Sequence, residues 1–213
     1  MKITSIKQQV KLKERYSVYV DGAYAFSLSD TLLLESKIAS GQELTPAQID
    51  DYRRLSAEDK LYNFALRYVA MRRRSKWEME QYLQRKEAPP ALAEIILNKL
   101  SVLGFIDDLA FAQAWVENRH LLRPTSKRKL QQELRAKCVP DDVIQSVLRD
   151  DETTDSDGLA ALIQRKRRQT KYQDDTKLMQ YLARQGFGYQ DIKSALERLP
   201  NPASDAYSAQ DEV

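Results

Sequence analysis
The stretch from Ser126 to Leu148, SKRKLQQELRAKCVPDDVIQSVL, recurs along the chain, and that recurrence limits the possible folds more than any other feature. It parses as two short helices joined by a tight turn. Ser126 can cap the first, because a serine hydroxyl accepts from an amide two or three residues on. Leu130 and Leu134 lie one turn apart on one face. Val139-Pro140 marks the break, and Val143, Ile144, Val147 and Leu148 stripe the second helix. The same skeleton appears 51 positions earlier as Ser75, Met79, Leu83, Lys86, Ala88, Ile96 and Leu97. It appears again 48 positions later as Asp174, Leu178, Leu182, Gln185, Phe187, Ile192, Ala195 and Leu196. Caps align with caps and apolar positions with apolar positions, the pattern of a repeat protein.

Each unit gains a third helix ahead of the pair. Leu61, Phe64, Ala65, Tyr68 and Val69 follow helical spacing in the first unit. Phe111, Ala112, Trp115 and Val116 do so in the second, and Leu159, Leu162 and Ile163 in the third. Ser75-x-x-Glu78 reads as a capping box. In Leu103-Gly-Phe-Ile-Asp-Asp108, Gly104 suits a left-handed helix stop and Asp107 a cap for the next helix.

Only the first 30 residues read as strand. In RYSVYVDGAYAFSL, β-formers flank Asp21-Gly22, a pair suited to a two-residue turn. Ile3–Val10 supplies a third strand. Ser29 or Asp30 caps a short helix, and Thr45-Pro46 opens another that runs towards Leu55. This module reads as a structural cap on the array or, in a functional reading, as a docking or linking module. The expected fold is mainly α: a tandem array of three three-helix repeats (59–106, 107–153 and 154–199) behind an N-terminal β-hairpin/α segment (1–58). The tail 200–213 is polar and unpatterned, the profile of a disordered segment.

The net charge of +3 hides a pattern. Residues 60–137 carry 16 basic and 8 acidic side chains, residues 138–160 carry 1 and 7, and residues 161–184 carry 7 and 2. Basic blocks on either side of an acidic one suit a polyanion or an acidic protein surface, although solvated helix faces produce the same runs. Arg72, Arg123 and Lys171 occupy one aligned position in the three units.

Catalytic chemistry finds little to work with. His120 is the only histidine and Cys138 the only cysteine, so multi-histidine metal sites and internal disulfides are ruled out, and a catalytic thiol would have only His120 as its base, which is not compellingly placed. Asp107-Asp108 is explained by capping better than by metal binding. Trp77 and Trp115 read as core. The expectation is a protein that is not an enzyme, takes no cofactor or metal, and sits in the reducing cytosol.

GFIDD (104–108), together with RRRSKWEMEQYL (72–83), SKRKLQQELRAK (126–137) and KLMQYLARQGF (177–187), resembles the RecX family of bacterial regulatory proteins. The resemblance covers about residues 60–198, and the YVDGAYAFSL hairpin is similar to N-terminal segments of some members. Two positions depart from the family pattern: Glu87-Ala88 replaces a Gly-aromatic pair, and Cys138 stands where Gly is usual. The resemblance implies a regulator that binds the RecA–single-stranded DNA filament. It would lower recombinase, ATPase and co-protease activity, and so act in homologous recombination, DNA repair and the SOS response. It implies RecA and single-stranded DNA as partners, with duplex DNA as a further candidate, and a cytoplasmic monomer.

Charge placement, rather than the family motif, selects the candidate contact residues: Arg72, Arg73, Arg74, Lys76, Lys127, Arg128, Lys129, Arg165, Lys166, Arg167, Arg168 and Lys171. The alternative reading is a helix-turn-helix transcription factor on duplex DNA. Against it, Ile95, Ile96, Val143 and Ile144 leave the second helices short of base-reading side chains. A third reading is a helical scaffold with incidental charge.

Overall fold
A computed structural model describes residues 1–199; the tail expectation for 200–213 lies outside the described residues. The chain divides into two compact units. One comprises Met1–Arg73 with Glu78–Ile106, and the other Arg74–Trp77 with the described residues from Asp107 onward.

The first unit opens with β1 (Ile3–Gln8), β2 (Arg15–Val20) and β3 (Ala23–Ser29), an antiparallel sheet in the order β1-β2-β3. Asp21 and Gly22 both take positive φ, 48° and 82°, as the hairpin turn requires. Ser29 ends β3 and caps α1 (Asp30–Ser36), its hydroxyl accepting from the Leu32 amide. Thr45 and Gln48 form a reciprocal capping box at the start of α2 (Pro46–Met71).

The helix expected to run towards Leu55 goes on to Met71, 26 residues in all from Pro46. No glycine or proline interrupts RRLSAEDKLYNF, and the residues there suited to capping are drawn elsewhere: the Ser56 hydroxyl donates to the Ser27 carbonyl, Asp59 pairs with Arg15, and Asn63 donates to the Asp59 carbonyl. Asp59 on the same helix receives the buried Arg15 guanidinium at 2.7 Å and the Ser29 hydroxyl at 2.7 Å. Removing one partner of such a buried pair strands the other, so the contact ties helix to sheet. One core gathers Val18, Phe26, Leu28 and Ile49. A second gathers Ala65, Val69, Met79 and Leu83 with Ile96 and Leu100, across α2, α3 (Lys76–Arg85) and α4 (Pro90–Val102).

Beyond Asp107 come α5 (Asp108–Leu122), α6 (Lys127–Arg135) and α7 (Asp141–Asp150). They are followed by α8 (Asp155–Arg167), a 3-10 turn (Thr170–Tyr172), α9 (Asp175–Arg184) and α10 (Tyr189–Arg198). Their cores are separate. Phe111, Val116, Leu130, Leu134 and Ile144 form one; Leu159, Leu162, Leu178, Leu182 and Ile192 form the other. The protein is therefore mainly helical, three three-helix units behind a small sheet. No helix among the described residues is long and apolar enough to cross a membrane.

The turn that ends the middle helix places a left-handed residue at the same position in all three units, and in the first two it closes with the same long bond. Glu87, Cys138 and Gly186 hold equivalent places with φ of 56°, 53° and 91°. Ala88 N donates to Leu83 O at 3.1 Å and Val139 N to Leu134 O at 3.2 Å, the long bond of a Schellman stop. The two departures from the family pattern thus keep the left-handed geometry, at the steric cost a Cβ brings there.

Within the second unit, this turn and the middle-helix cap form a latch. Ser126 N and Thr125 Oγ1 both donate to Gln185 O, at 3.1 and 2.8 Å. Ser75 Oγ repeats the contact on Lys137 O at 3.0 Å. Aspartates complete each junction: Asp108 accepts from Lys76 N at 2.9 Å, and Asp155 from Lys127 N at 2.8 Å. Asp107 caps α5 through the Ala110 amide, as expected. Its neighbour Asp108 also caps a helix, but α3 rather than its own.

Candidate functional site
The twelve basic candidates sit at helix starts and ends, where backbone carbonyls and neighbouring carboxylates compete for their head groups. Arg72 follows α2 and makes a two-pronged contact with Glu78, at 2.9 and 3.0 Å. The hydrogen bond that Arg72 donates to Glu78, whose side chain is 7% exposed, raises the Arg72 pKa above its ordinary value. Arg74 is buried. Lys127 turns its ammonium to the end of α7, donating to Leu148 O at 3.0 Å and Asp151 O at 2.6 Å. There it satisfies carbonyls that the helix leaves without partners. Lys129 donates to Arg184 O, and Arg165 to Leu122 O at 3.2 Å.

Arg167 is drawn in furthest. It pairs with Asp175 at 2.5 Å and donates to Gln173 O at 3.1 Å, with its side chain 9% exposed. Lys166 lies over two rings, 4.6 Å from the Tyr181 centroid and 5.2 Å from that of Tyr172. Lys171 stands over Tyr172 at 5.7 Å.

The remaining four, Arg73, Lys76, Arg128 and Arg168, are exposed, and their side chains make no ion pair or hydrogen bond among the described residues. The aligned corner Arg72–Arg123–Lys171 does not act as one set. Arg72 is paired, Arg123 is exposed, and Lys171 rests over a ring.

His120 is committed as well. Its Nε2 lies 3.0 Å from Asp151 Oδ2, and the Lys127 ammonium lies 3.7 Å from the same oxygen. This cluster borders an open groove lined also by Val116, Leu121 and Val147. Among the described residues, no group of three His, Cys, Asp or Glu side chains could hold a metal ion.

Charge counting overlooks the aromatic residues. Tyr68 and Tyr82 stack with centroids 4.0 Å apart and planes 7° apart. Lys86 stands over both Phe64 and Tyr82, at 5.2 and 5.7 Å. Repeat equivalence carries the usable signal: Tyr82 aligns with Glu133 and Tyr181, and Phe64 with Trp115.

Comparison with known proteins follows this architecture. The model described as "Regulatory protein RecX N-terminal domain" matches residues 1–45. Those described as "RecX, first three-helix domain" and "RecX, second three-helix domain" match 62–100 and 107–148. The regulatory protein RecX of Bacillus pumilus is 31% identical over 216 residues, covering 99% of this chain and 79% of that protein. The RecX of Listeria welshimeri is 32% identical over 148 residues, or 70% of this chain. That match spans only 55% of the Listeria protein. A crystal structure of regulatory protein RecX superposes with a TM-score of 0.63 at 26% identity, covering 92% of this chain and 98% of that one. A structure of RecX from Lactobacillus salivarius shares the fold, with a TM-score of 0.55 at 22% identity over 67% of this chain and 96% of the other.

Proposed function
This chain belongs to the RecX family of regulatory proteins, and from that premise we propose that it binds the RecA–single-stranded DNA filament and lowers RecA's recombinase, ATPase and co-protease activities. The observation that carries this reading beyond family membership is the set of unpaired cations. Arg73, Arg128 and Arg168 each follow or open a helix of a different repeat, and none has an intramolecular partner among the described residues. Guanidinium groups left exposed at loop and helix ends suit a surface of phosphates or carboxylates, because they bind without first surrendering a contact.

Lys76 and Lys171 join this contact set, since among the described residues the Lys76 side chain makes no ion pair or hydrogen bond, only a through-space attraction to Asp108, and Lys171 is held only by a ring. Six candidates serve the fold first, namely Arg72, Arg74, Lys127, Lys129, Arg165 and Arg167, while Lys166 rests only over rings. The chain acts by occupancy of the filament, as a cytoplasmic monomer, with no reaction of its own.

The test is DNA-dependent ATP hydrolysis by preformed RecA filaments. Substoichiometric protein lowers the rate, and an unchanged rate at saturation overturns the proposal. Replacing Arg73, Arg128 and Arg168 by Ala weakens filament binding. If those residues meet single-strand phosphates, the salt slope falls by about 2, from roughly 0.7 per contact.

A further inference from the structure
Two clusters each set two lysines over a pair of rings, whereas Lys99 over Tyr62 and Lys7 over Tyr19 each meet one ring. In the first unit, Lys86 and Lys60 stand over Phe64 at 5.2 and 5.8 Å, and Lys86 also over Tyr82, which stacks on Tyr68. Within the second unit, Lys166 stands over Tyr181 and Tyr172, whose centroids are 5.2 Å apart, and Lys171 stands over Tyr172. Tyr82 and Tyr181 are equivalent positions of two repeats. Among the described residues, neither cluster places a carboxylate on its lysines. All the named rings are half-buried.

The middle repeat supplies an internal contrast. Trp115 replaces Phe64, and Lys137 stands over it at 5.6 Å, as Lys86 does over Phe64. There, however, Arg119 occupies the Tyr68 position and Glu133 the Tyr82 position. Glu133 accepts from Arg119 at 2.7 Å and from the Trp115 indole at 2.9 Å. That site is neutralised and closed by its own ion pair, while its two relatives keep unneutralised ammonium groups beside tyrosine rings.

An ammonium over a ring keeps its full charge and is only weakly held, so a phosphate can take it. Once the ammonium has moved to a phosphate, the ring face it covered is free to stack a base. An acidic protein surface would use the cations and leave the rings idle; an unpaired polynucleotide uses both. We infer that the Lys86–Tyr82 and Lys166–Tyr181 clusters are contact points for single-stranded nucleic acid, with lysines on phosphates and rings on bases. This rests on the reading that the chain works on a DNA-bearing filament, and it assigns the DNA contact to residues outside the free-arginine set.

The experiment needs no RecA. The full chain is titrated against labelled oligo(dT) and against an abasic oligomer of equal length, which keeps the phosphates and removes the bases. Oligo(dT) binds about tenfold more tightly. Tyr82→Leu with Tyr181→Leu abolishes that preference and leaves abasic binding unchanged, whereas Tyr82→Phe with Tyr181→Phe retains it. Lys86→Gln with Lys166→Gln weakens both oligomers, and it decides the matter if the leucine variant fails to fold. Equal affinity for the two oligomers, or a preference that survives loss of both rings, overturns the inference. If neither oligomer binds while RecA ATP hydrolysis still falls, the inference fails and the filament reading stands.

Discussion

Gly186 lies against Ser126 so closely that a β-carbon added to the glycine would stand 2.4 Å from the serine Oγ. It would also stand 2.8 Å from Lys129 Cβ, an atom fixed to its own backbone and unable to swing aside. The glycine has a φ of 91°, and its neighbour Gln185 offers the carbonyl that receives Ser126 N and Thr125 Oγ1. Conformation and contact together exclude a side chain here.

Gly186→Ala therefore destabilises the protein by about 2–5 kcal/mol. Roughly 1–2 comes from the left-handed backbone and roughly 1–3 from overpacking against Lys129. Urea unfolding measures the loss. A change of less than about 1 kcal/mol would show that the latch yields without cost.

Cys138 occupies the equivalent place with a φ of 53° and is exposed, so it bears the strain without the contact. Cys138→Gly exchanges a left-handed penalty of about 1–2 kcal/mol for a glycine entropy cost of about 0.5–1. The variant is more stable by about 0.5–1 kcal/mol, read as a higher unfolding midpoint. A lower midpoint would mean that the thiol contributes something the geometry does not reveal.

Arg72 and Arg73 are adjacent in sequence and opposite in consequence. Arg72→Ala leaves the buried Glu78 carboxylate without its two-pronged partner, at a cost of about 1–3 kcal/mol, and Glu78→Gln in the same chain recovers part of it. Arg73→Ala stays within about 0.5 kcal/mol of the parent, as expected for an exposed side chain without contacts. Thermal and urea melts of the two single variants separate the roles; equal losses would contradict the assignment.

Two capping aspartates respond to pH with opposite signs. Burial, partly offset by the Lys76 amide, raises the Asp108 carboxyl above its ordinary 3.8. An acid raised on folding subtracts stability above its folded pKa, and the cost disappears below the unfolded value. Asp108→Asn keeps an acceptor for Lys76 N and gains stability at neutral pH, a gain that fades as pH falls through the raised folded pKa and is gone below about 3.8.

Amides of Lys177 and Thr176, led by the Lys177 bond, hold Asp174 below 3.8. Its contribution is present above that value and is lost as pH falls through it towards the lower folded pKa. Asp174→Asn is accordingly less stable at neutral pH, with a difference that narrows in acid. Urea midpoints across this range test both signs, and a common direction for the two variants would refute the account.

Much of the fold is legible because its signals are local. The Ser29, Thr45, Asp107 and Ser126 caps, the Asp21-Gly22 turn and the stripes through Leu130 and Leu134 each depend on residues within one or two helical turns. α2 shows the limit. Ser56 resembles a cap until a strand carbonyl at Ser27, distant in sequence, takes its hydroxyl.

The candidate site is legible only as a charge total. Nothing in KRK at 127–129 shows that Lys127 reaches Leu148 O and Asp151 O, that Lys129 reaches Arg184 O, and that Arg128 alone stays free. Those outcomes depend on which helix end packing brings beside each head group. Alignment places Tyr68, Arg119 and Arg167 at one position, yet a stacked ring, an ion pair and a deep guanidinium result from different opposing residues.

The amino-acid sequence by itself determined the three-fold repeat, the helix boundaries at most caps and the apolar face of each helix, since periodicity and capping act over short spans. Tertiary structure alone decided which cations remain available, because a head group's partner is a carbonyl or carboxylate contributed by distant chain. It also decided that Gly186 must be glycine while Cys138 need not be. Both positions demand the same backbone, and only at Gly186 does a neighbouring helix leave no room for a β-carbon.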